Sequence, residues 1–329
     1  MNTQLSISSV VNMDALVSLA REFRAEFEVS SGQIHERLAG MPFMFNTDGK
    51  DAYPFAGWGN PGGHKAFPIL PQVEEATIAS TDSSCILLGE SAEGSVYAVR
   101  AAVCFSSGGG VRGYFRVGPT IVYLTEEGAC GIPPLETYEL KFALSDSQIA
   151  ERVIRNGLER RIIASLMKSP QLSIVMADGS LKHPLDPMPI GAMGRDWGGC
   201  LIGFSKSSSL VSSSKSTGAV SEARGPAFAM TQDGPIRTLV AKFSPDGLVF
   251  RLDVARSPSH LDKVLGLLLY NDAFYVGYPE SLRMAHHLSV FSRSEDTALK
   301  AYITKRYELK NLPSFGLRRI TLGSLSSSG

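Results

Sequence analysis

The chain has 329 residues, of which 43% are hydrophobic and 19% charged, and its 32 basic and 32 acidic side chains give a formal net charge of zero. These values are ordinary for a soluble globular protein with a sizeable core, and they argue against a disordered or fibrous chain. Zero net charge does not exclude nucleic acid as a ligand, but any electropositive surface must then be local or supplied by bound cations.

The N-terminal part of the sequence differs from the rest. Apolar residues at helical spacing predict a helix at about residues 12–29. Residues 41–72 are rich in Pro, Gly and aromatic side chains and follow no regular period, so we expect a long connection that packs against a surface. The chain is therefore predicted to consist of an N-terminal helical extension, 1–72, and a main domain, 73–329.

The main domain begins with three predicted strands, at residues 77–88, 95–105 and 113–124, separated by Gly-rich turns. Short turns between successive strands indicate an antiparallel meander. A long helix follows at about residues 146–168, with Ser145 as the predicted N-cap of a capping box.

The second half alternates between strands and helices. A Ser-rich stretch at 205–218 interrupts it and is predicted to be mobile. The predicted elements are strands at 172–177 and 199–204, a hairpin of 236–243 with 248–254, and helices at about 259–270, 279–292 and 295–308, the last capped by Ser294. This order predicts an α/β fold with a mixed central sheet flanked by helices, similar to the ribonuclease-H-like arrangement.

The cysteines and the terminal segment bear on the cellular compartment. Cys85, Cys104, Cys130 and Cys200 form no CxxC pair and have no histidine at zinc-ligand spacing, so we expect free thiols in a reducing compartment. The N-terminus lacks the pattern of a signal peptide, and no apolar run reaches the ~20 residues of a membrane helix. The sequence therefore predicts a cytoplasmic protein.

Three carboxylates are candidates for a shared site. Asp82 lies in the first predicted strand, where aspartate is disfavoured, unless that strand ends at Ser80. Glu159 projects from a partly apolar sector of the long helix, although it can also pair with Arg155 one turn earlier. Asp178 ends the next strand, either as a ligand or as an ordinary turn residue. If all three converge, they can bind Mg²⁺ or Mn²⁺, and two ions about 4 Å apart activate water for phosphodiester hydrolysis.

Further polar candidates lie near Pro279. Tyr278 and His286 are eight residues apart, so they can share one side of a helix, with Arg283 one turn before the histidine. His286 is either a metal ligand or proton shuttle, or a core or capping histidine, and His287 is interpreted as structural. Lys206 follows a strand beside small hydroxyl residues, which suits a phosphate contact as well as a solvated loop lysine.

At these residues the sequence resembles the NurA family, nucleases that work with the HerA translocase in processing DNA ends. The resemblance spans about residues 76–293, and the first motif departs from the family's usual Asp-Gly-Ser. Five ordered motifs carry it: "IASTDSS" with Asp82, "IRNGLERRI" with Glu159, "VMADGSL" with Asp178, "IGFSKSS" with Lys206 and "YPESLRMAHHLSVFS" with Tyr278 and His286.

The resemblance implies a ribonuclease-H-like core, a homodimer with a central channel, and a DNA nuclease that uses Mn²⁺ or Mg²⁺, with two ions expected. It also implies a hexameric HerA-type ATPase as partner. By the matching motifs, Asp82, Glu159 and Asp178 are the expected metal ligands, His286 a further ligand or an acid–base group, and Tyr278 a residue that orients water or phosphate.

DNA affinity at zero net charge requires a lined channel, with Lys206, Arg155 and Arg283 as candidate phosphate contacts. A C-terminal basic run is another candidate, or else a solvated helix face and tail: Lys300, Lys305, Arg306, Lys310, Arg318 and Arg319. One alternative function is a non-catalytic subunit that clamps DNA for a translocase. A nucleotide-binding phosphotransferase is disfavoured, because the sequence has no GxxxxGK[ST], and GGGVRG at 108–113, although it matches GxGxxG, is interpreted as a hairpin turn.

Overall fold

The structure is a computed structural model. It describes residues 65–131, 137–182, 197–206, 215–255 and 260–311, the short segments 32–36 and 42–45, and residues 18, 21 and 39. Residues 18, 21 and 32–36 are helical. The rest of the helix predicted at 12–29, and the connection predicted at 41–72 apart from 42–45 and 65–72, lie outside the described residues.

The described strands number fourteen. They are β1 Pro42–Phe45, β2 Phe67–Pro68, β3 Thr77–Glu90, β4 Gly94–Ser107, β5 Gly110–Thr125, β6 Gly128–Cys130, β7 Leu172–Asp178, β8 Cys200–Ser205, β9 Ala227–Gln232, β10 Ile236–Lys242, β11 Phe250–Ala255, β12 Phe274–Tyr275, β13 Tyr278–Pro279 and β14 Lys310–Asn311. The described helices with assigned bounds are α1 Thr137–Ser145, α2 Ser147–Leu166, α3 Lys215–Ser221, α4 Leu261–Asn271, α5 Glu280–Ser289 and α6 Arg293–Arg306.

Most strands form one mixed sheet. Its order is β2-β9-β10-β11-β8-β7-β3-β4-β5-β6, and β1 pairs with both β3 and β14. The predicted meander is confirmed, since β3, β4 and β5 pair antiparallel in sequence order. The chain then crosses through α2, and β7 pairs parallel with both β3 and β8. The α/β layout with a mixed central sheet is therefore as predicted.

Helices cover both faces of the sheet, so its central strands are buried on both sides. Ala79 of β3 belongs to the core cluster that contains Leu158 and Ile162 of α2. Its neighbour Ile78 belongs to the cluster that contains Leu265 of α4 and Leu282 of α5. Successive side chains of a strand point to opposite faces, so odd-numbered residues in this part of β3 face α2 and even-numbered residues face α4 and α5.

Two predicted helix caps are wrong by one or two residues. Ser145 is the last residue of α1, a helix that the sequence did not predict, and Asp146 caps α2 by accepting hydrogen bonds from the backbone N–H groups of Gln148 and Ile149. The cap of α6 is Ser292 rather than Ser294, and it forms a full capping box with Glu295. In both places a stronger cap lies next to the predicted one.

Two elements in the second half differ from the prediction. The Ser-rich stretch predicted to be mobile contains the start of α3, while its residues 207–214 lie outside the described part. Strand β9 was not predicted, although the hairpin that follows it is confirmed as β10 paired antiparallel with β11. The predicted free thiols are confirmed for all four cysteines.

Among the described helices, none combines the length and the apolar character needed to cross a membrane.

Candidate metal centre

Two of the predicted carboxylates lie side by side where the parallel pairing of β3 with β7 ends. Asp82 is inside β3, so the interpretation in which the strand stops at Ser80 is wrong. The pairing of β3 with β7 reaches Thr81 opposite Ala177, which places Asp82 and Asp178 at corresponding positions on neighbouring strands. Asp82 is 6% exposed and Asp178 15% exposed, and an ionised carboxylate buried to this degree requires a partner.

Helix α5 brings a histidine to both carboxylates. His286 Nδ1 lies 2.7 Å from Asp82 Oδ2 and 3.9 Å from Asp178 Oδ2. One ligand atom from each of the three residues lies within 4.8 Å of the other two. A carboxylate only accepts hydrogen bonds, so in this contact Nδ1 is the donor and Nε2 is left for another partner. His287, interpreted as structural, is exposed on the same helix.

Asp178 is also held by a tyrosine and a lysine. The Tyr278 hydroxyl donates to Asp178 Oδ1 at 3.0 Å, and Lys206 Nζ donates to Asp178 Oδ2 at 2.7 Å. The ammonium also lies 5.1 Å from the centroid of the Tyr278 ring. Burial, together with the charge and the hydrogen bond of Asp178, raises the pKa of Tyr278 well above its ordinary value, so this hydroxyl remains a donor at neutral pH. Asp178 is therefore more than a turn residue.

Glu159 approaches from the opposite face of β3. It lies on α2, next to the odd-numbered Ser83, and it does not belong to the set whose ligand atoms lie within 4.8 Å of one another. Between Thr81, paired with β7, and Gly89, paired with β1, this edge of β3 has no strand partner among the described residues. No described strand therefore covers the edge of β3 around which Glu159 and Asp82 would have to meet.

The electrostatics connect Glu159 to the cluster. Burial raises the pKa of Glu159 to about 8; the Arg155 guanidinium lowers it, and the charges of Asp82 and Asp178 raise it. Glu159 Oε1 and Arg155 Nε are both buried and have no hydrogen-bond partner among the described residues. Burial and the neighbouring carboxylates thus favour the protonated form of Glu159 near neutral pH, and the pair with Arg155 that the sequence also allowed has no hydrogen bond through Arg155 Nε or Glu159 Oε1.

Two residues that the sequence analysis missed support the cluster. The Ser289 hydroxyl lies 3.1 Å from Asp82 Oδ2. The buried Arg100 of β4 donates to the carbonyl oxygens of Ser289 and Val290 and forms a 2.6 Å ion pair with Glu295. Arg100 thereby fixes the end of α5 against the sheet. Arg100 lies within a predicted strand, and nothing in the neighbouring sequence distinguished it as a residue that supports the site.

A second polar network, also missed, holds the chain just after Asp178. Asp253 is fully buried and accepts hydrogen bonds from the Ser180 hydroxyl, the Leu181 backbone N–H, the Thr238 hydroxyl and Arg251. Gly179 adopts φ +111, a conformation that favours glycine, where the chain turns out of the sheet. The network therefore fixes the direction in which the chain leaves Asp178.

The remaining predicted cations lie outside the cluster. Arg283 pairs with Glu280 and is partly exposed, with its guanidinium carbon 5.2 Å from the Tyr275 ring. Of the C-terminal run, Lys305 and Arg306 are exposed, as is Lys310, and Lys300 pairs with Asp296. Arg318 and Arg319 lie outside the described residues.

Comparison with solved structures supports the fold. The NurA nuclease from Sulfolobus solfataricus matches at a TM-score of 0.50 and 13% identity, over 95% of this chain and 100% of that chain. NurA bound to dAMP and manganese matches at a TM-score of 0.45 and 10% identity, over 74% of this chain and 90% of that chain. Ciona intestinalis endonuclease V, in complex with a 24mer DNA containing an inosine followed by a ribo-adenosine, matches at 0.36 and 13%, over 70% of this chain and 89% of that chain.

Neither a family model nor a curated protein matches the sequence. The structural comparison confirms the resemblance to NurA at the level of the fold, an α/β fold with a ribonuclease-H-like core. At 13% identity, the likeness shows the fold and leaves activity to be argued from the residues of this chain.

Proposed function

We propose that this protein is a metal-dependent deoxyribonuclease that hydrolyses phosphodiester bonds. The observation that carries the proposal is the convergence of Asp82, Asp178 and His286, with ligand atoms within 4.8 Å of one another where the parallel pairing of β3 with β7 ends. Clefts outside the carboxyl ends of strands are where open α/β sheets bind their ligands. The sequence motifs that resemble NurA imply the same three residues and so support the proposal.

The residues present fit a divalent cation. Carboxylate oxygens suit Mg²⁺ and Mn²⁺, and an imidazole in the same set favours Mn²⁺. Glu159 Oε1 is a buried acceptor without a partner, and bound positive charge would offset the burial that keeps this carboxyl protonated. We propose Asp82, Asp178 and His286 as ligands of one ion and Glu159 as the additional ligand that a second ion needs.

A bound cation supplies an activated water and a Lewis acid for a phosphoryl oxygen. The protein's own groups do the rest. Tyr278 and Lys206 hold Asp178 from two directions, which fixes its oxygens against the cluster. Lys206 is 43% exposed, so its ammonium can also neutralise a phosphate oxygen of the scissile group. His286 would act in one of two ways: as a ligand through Nδ1, or, with Nδ1 donating to Asp82 instead, as an acid–base group through Nε2.

The test is a cleavage assay on single- and double-stranded DNA with Mn²⁺, with Mg²⁺ and with EDTA. Asp178→Asn keeps the shape of the side chain and removes its charge, so we expect cleavage to fall by at least about 100-fold. Asp233→Asn is the matched control, because this aspartate is 80% exposed and lies outside the cluster. Cleavage that persists unchanged in Asp178→Asn contradicts the proposal, and DNA binding without cleavage in the unsubstituted protein supports the non-catalytic clamp instead.

The resemblance of the sequence motifs to NurA supports proposals about assembly. By that resemblance, a homodimer and a hexameric HerA-type ATPase are the partners to test, with DNA-end processing in the cytoplasm as the setting. Light scattering of the purified protein measures the dimer. The interaction with a HerA-type ATPase is tested by co-purification with such an ATPase encoded in the same genome. It is also tested by the change in cleavage rate when that ATPase is added.

A further inference from the structure

A short hairpin projects beside the proposed metal centre. Strands β12 and β13 pair Tyr275 with Tyr278, and the two residues between them, Val276 and Gly277, form the turn. Both turn residues have positive φ, 52° for Val276 and 84° for Gly277, as a type I′ turn requires. Asn or Gly is the usual residue at the first of these positions, and a β-branched residue there is strained.

The tip of this hairpin is apolar and exposed. Tyr275 is 63% exposed and Val276 49%, and Leu248, from the loop before β11, is 61% exposed beside them. The backbone N–H of Leu248 donates to the Val276 carbonyl oxygen at 3.1 Å, and Gly247 approaches Gly277 so closely that a side chain at Gly247 would contact the Gly277 backbone. Leu248, Tyr275 and Val276 therefore form one surface, which we call the apolar tip.

The apolar tip is one cross-strand pair away from a residue that contacts the proposed metal centre. Tyr275 and Tyr278 are cross-strand partners, and the Tyr278 hydroxyl binds Asp178 of the metal cluster. The Tyr275 ring also has a cation beside it, because the Arg283 guanidinium carbon is 5.2 Å from its centroid. Glu280 forms an ion pair with that guanidinium. An aromatic ring with an arginine beside it, open to solvent, is the arrangement on which bases of single-stranded nucleic acid stack.

We propose that the apolar tip binds an unstacked base of the strand that enters the metal centre, with Tyr275 as the stacking surface and Val276 and Leu248 as its apolar border. This inference rests on the proposed nuclease function and names the part of the substrate that is recognised. The strain at Val276 supports it, because a residue that costs stability at a turn is retained where its side chain has a role. The arginine beside the ring favours a nucleic acid over an apolar protein surface.

The test compares binding of an intact oligonucleotide with binding of matched strands that carry one abasic position, moved along the strand. Binding is measured by fluorescence anisotropy in EDTA, where cleavage is off. We expect Tyr275→Ala to weaken binding of the intact strand by about 5- to 150-fold, and to leave unchanged the binding of the strand whose missing base occupies the tip. Tyr275→Phe should bind like the unsubstituted protein, as should Tyr302→Ala, the loss of an exposed tyrosine on α6.

Three results of the binding comparison overturn the proposal. They are equal losses for intact and abasic strands, no loss in Tyr275→Ala, and no binding of the intact strand by the unsubstituted protein. A change of oligomeric state in Tyr275→Ala, seen by light scattering, assigns the tip to a protein interface and also overturns it. Absence of Mn²⁺-dependent cleavage contradicts the proposed nuclease function. The comparison of oligonucleotide binding tests the role of the apolar tip independently of cleavage.

Discussion

The Ser289 hydroxyl lies 3.1 Å from Asp82 Oδ2, so the last turn of α5 contacts a carboxylate in the middle of β3. The same hydroxyl lies 3.0 Å from the carbonyl oxygen of His286, one turn earlier. Ser289 thus connects the two residues that α5 and β3 contribute to the metal cluster. Groups that orient metal ligands in this way affect metal affinity without touching the metal.

We therefore expect Ser289→Ala to weaken Mn²⁺ binding by about 10-fold and to lower cleavage at limiting metal, with partial recovery at saturating metal. Isothermal titration calorimetry measures the first effect and a metal titration of cleavage the second. Ser294→Ala, which removes an exposed hydroxyl at the start of α6, is the control. Equal Mn²⁺ affinities for Ser289→Ala and the unsubstituted protein contradict the role of Ser289.

The Arg100–Glu295 pair leads to a prediction about stability. Arg100 is buried and supplies the hydrogen bonds that the last carbonyls of α5 accept, while Glu295 is 41% exposed and belongs to the capping box of α6. Arg100→Met leaves these acceptors without their donor. We expect the free energy of unfolding to fall by about 2–4 kcal/mol, at the low end for a buried pair because Glu295 is partly solvated. Urea unfolding measures the loss.

The matched control is Arg293→Met, since Arg293 is an exposed residue at the start of α6 and its loss should change stability little. A second variant, Glu295→Gln, separates charge from hydrogen bonding at the pair. If Arg100→Met unfolds with the midpoint of the unsubstituted protein, Arg100 does not hold the end of α5.

Glu159 gives a pH dependence with a definite sign. Burial raises its pKa to about 8 from an ordinary value of 4.5, so the folded state holds a proton that the unfolded state releases at lower pH. The stability contributed by this proton is fully present below pH 4.5 and is lost as the pH rises through about 8. We expect the metal-free protein to lose stability across this range, and Glu159→Gln to lose less. Denaturant unfolding in EDTA at several pH values measures both.

Metal binding should report on the same proton. If Glu159 is a ligand, binding of Mn²⁺ near neutral pH releases its proton, and metal affinity rises as the pH approaches 8. Calorimetry in buffers of different ionisation enthalpy counts the released protons. The count should be smaller by up to one in Glu159→Gln, and an unchanged count removes Glu159 from the ligand set.

Lys206 tests the two interpretations of a lysine at the end of β8. Its ammonium donates to Asp178 Oδ2, an oxygen that the proposed metal also needs. Lys206→Met should therefore strengthen Mn²⁺ binding by about 3- to 10-fold while lowering the catalytic rate by 10-fold or more, because the phosphate contact is lost. A solvated loop lysine would change neither quantity. Lys263→Met is the control, since Lys263 is half exposed and pairs with Glu74 instead.

The parts of the site that could be predicted from sequence are those that secondary structure positions. Asp82 was recognisable because an aspartate inside an apolar strand is unusual, and Asp178 because it ends the strand that follows the crossover helix. The parallel pairing of β3 and β7 then brings them together. His286 was found through its spacing from Tyr278, but the helix predicted to carry both residues is wrong for the tyrosine. Tyr278 lies in β13, and only His286 lies on α5.

The missed residues depend on contacts between distant parts of the chain. Ser289 reaches Asp82 across 207 positions, and Arg100 reaches the Ser289 carbonyl across 189. Neither has a local signature, because serine near a helix end and arginine in a strand are both common. For Glu159 the local feature was predictable and the tertiary one was not. The sequence predicted the sector of α2 on which Glu159 lies, but it did not predict which face of β3 α2 covers.

The strained turn at Val276 leads to a prediction in which one substitution increases the stability of the protein and weakens its binding of DNA. Val276 has φ 52°, and Asn adopts this conformation at lower cost, so Val276→Asn should raise the free energy of unfolding by about 1 kcal/mol. Val73→Asn, at a side chain that is 81% exposed and without positive φ, should change it little. If Val276 borders the base that Tyr275 stacks, the same Val276→Asn protein should bind single-stranded DNA several-fold more weakly. A variant that gains stability and keeps full DNA affinity would show that the valine side chain has no part in substrate binding.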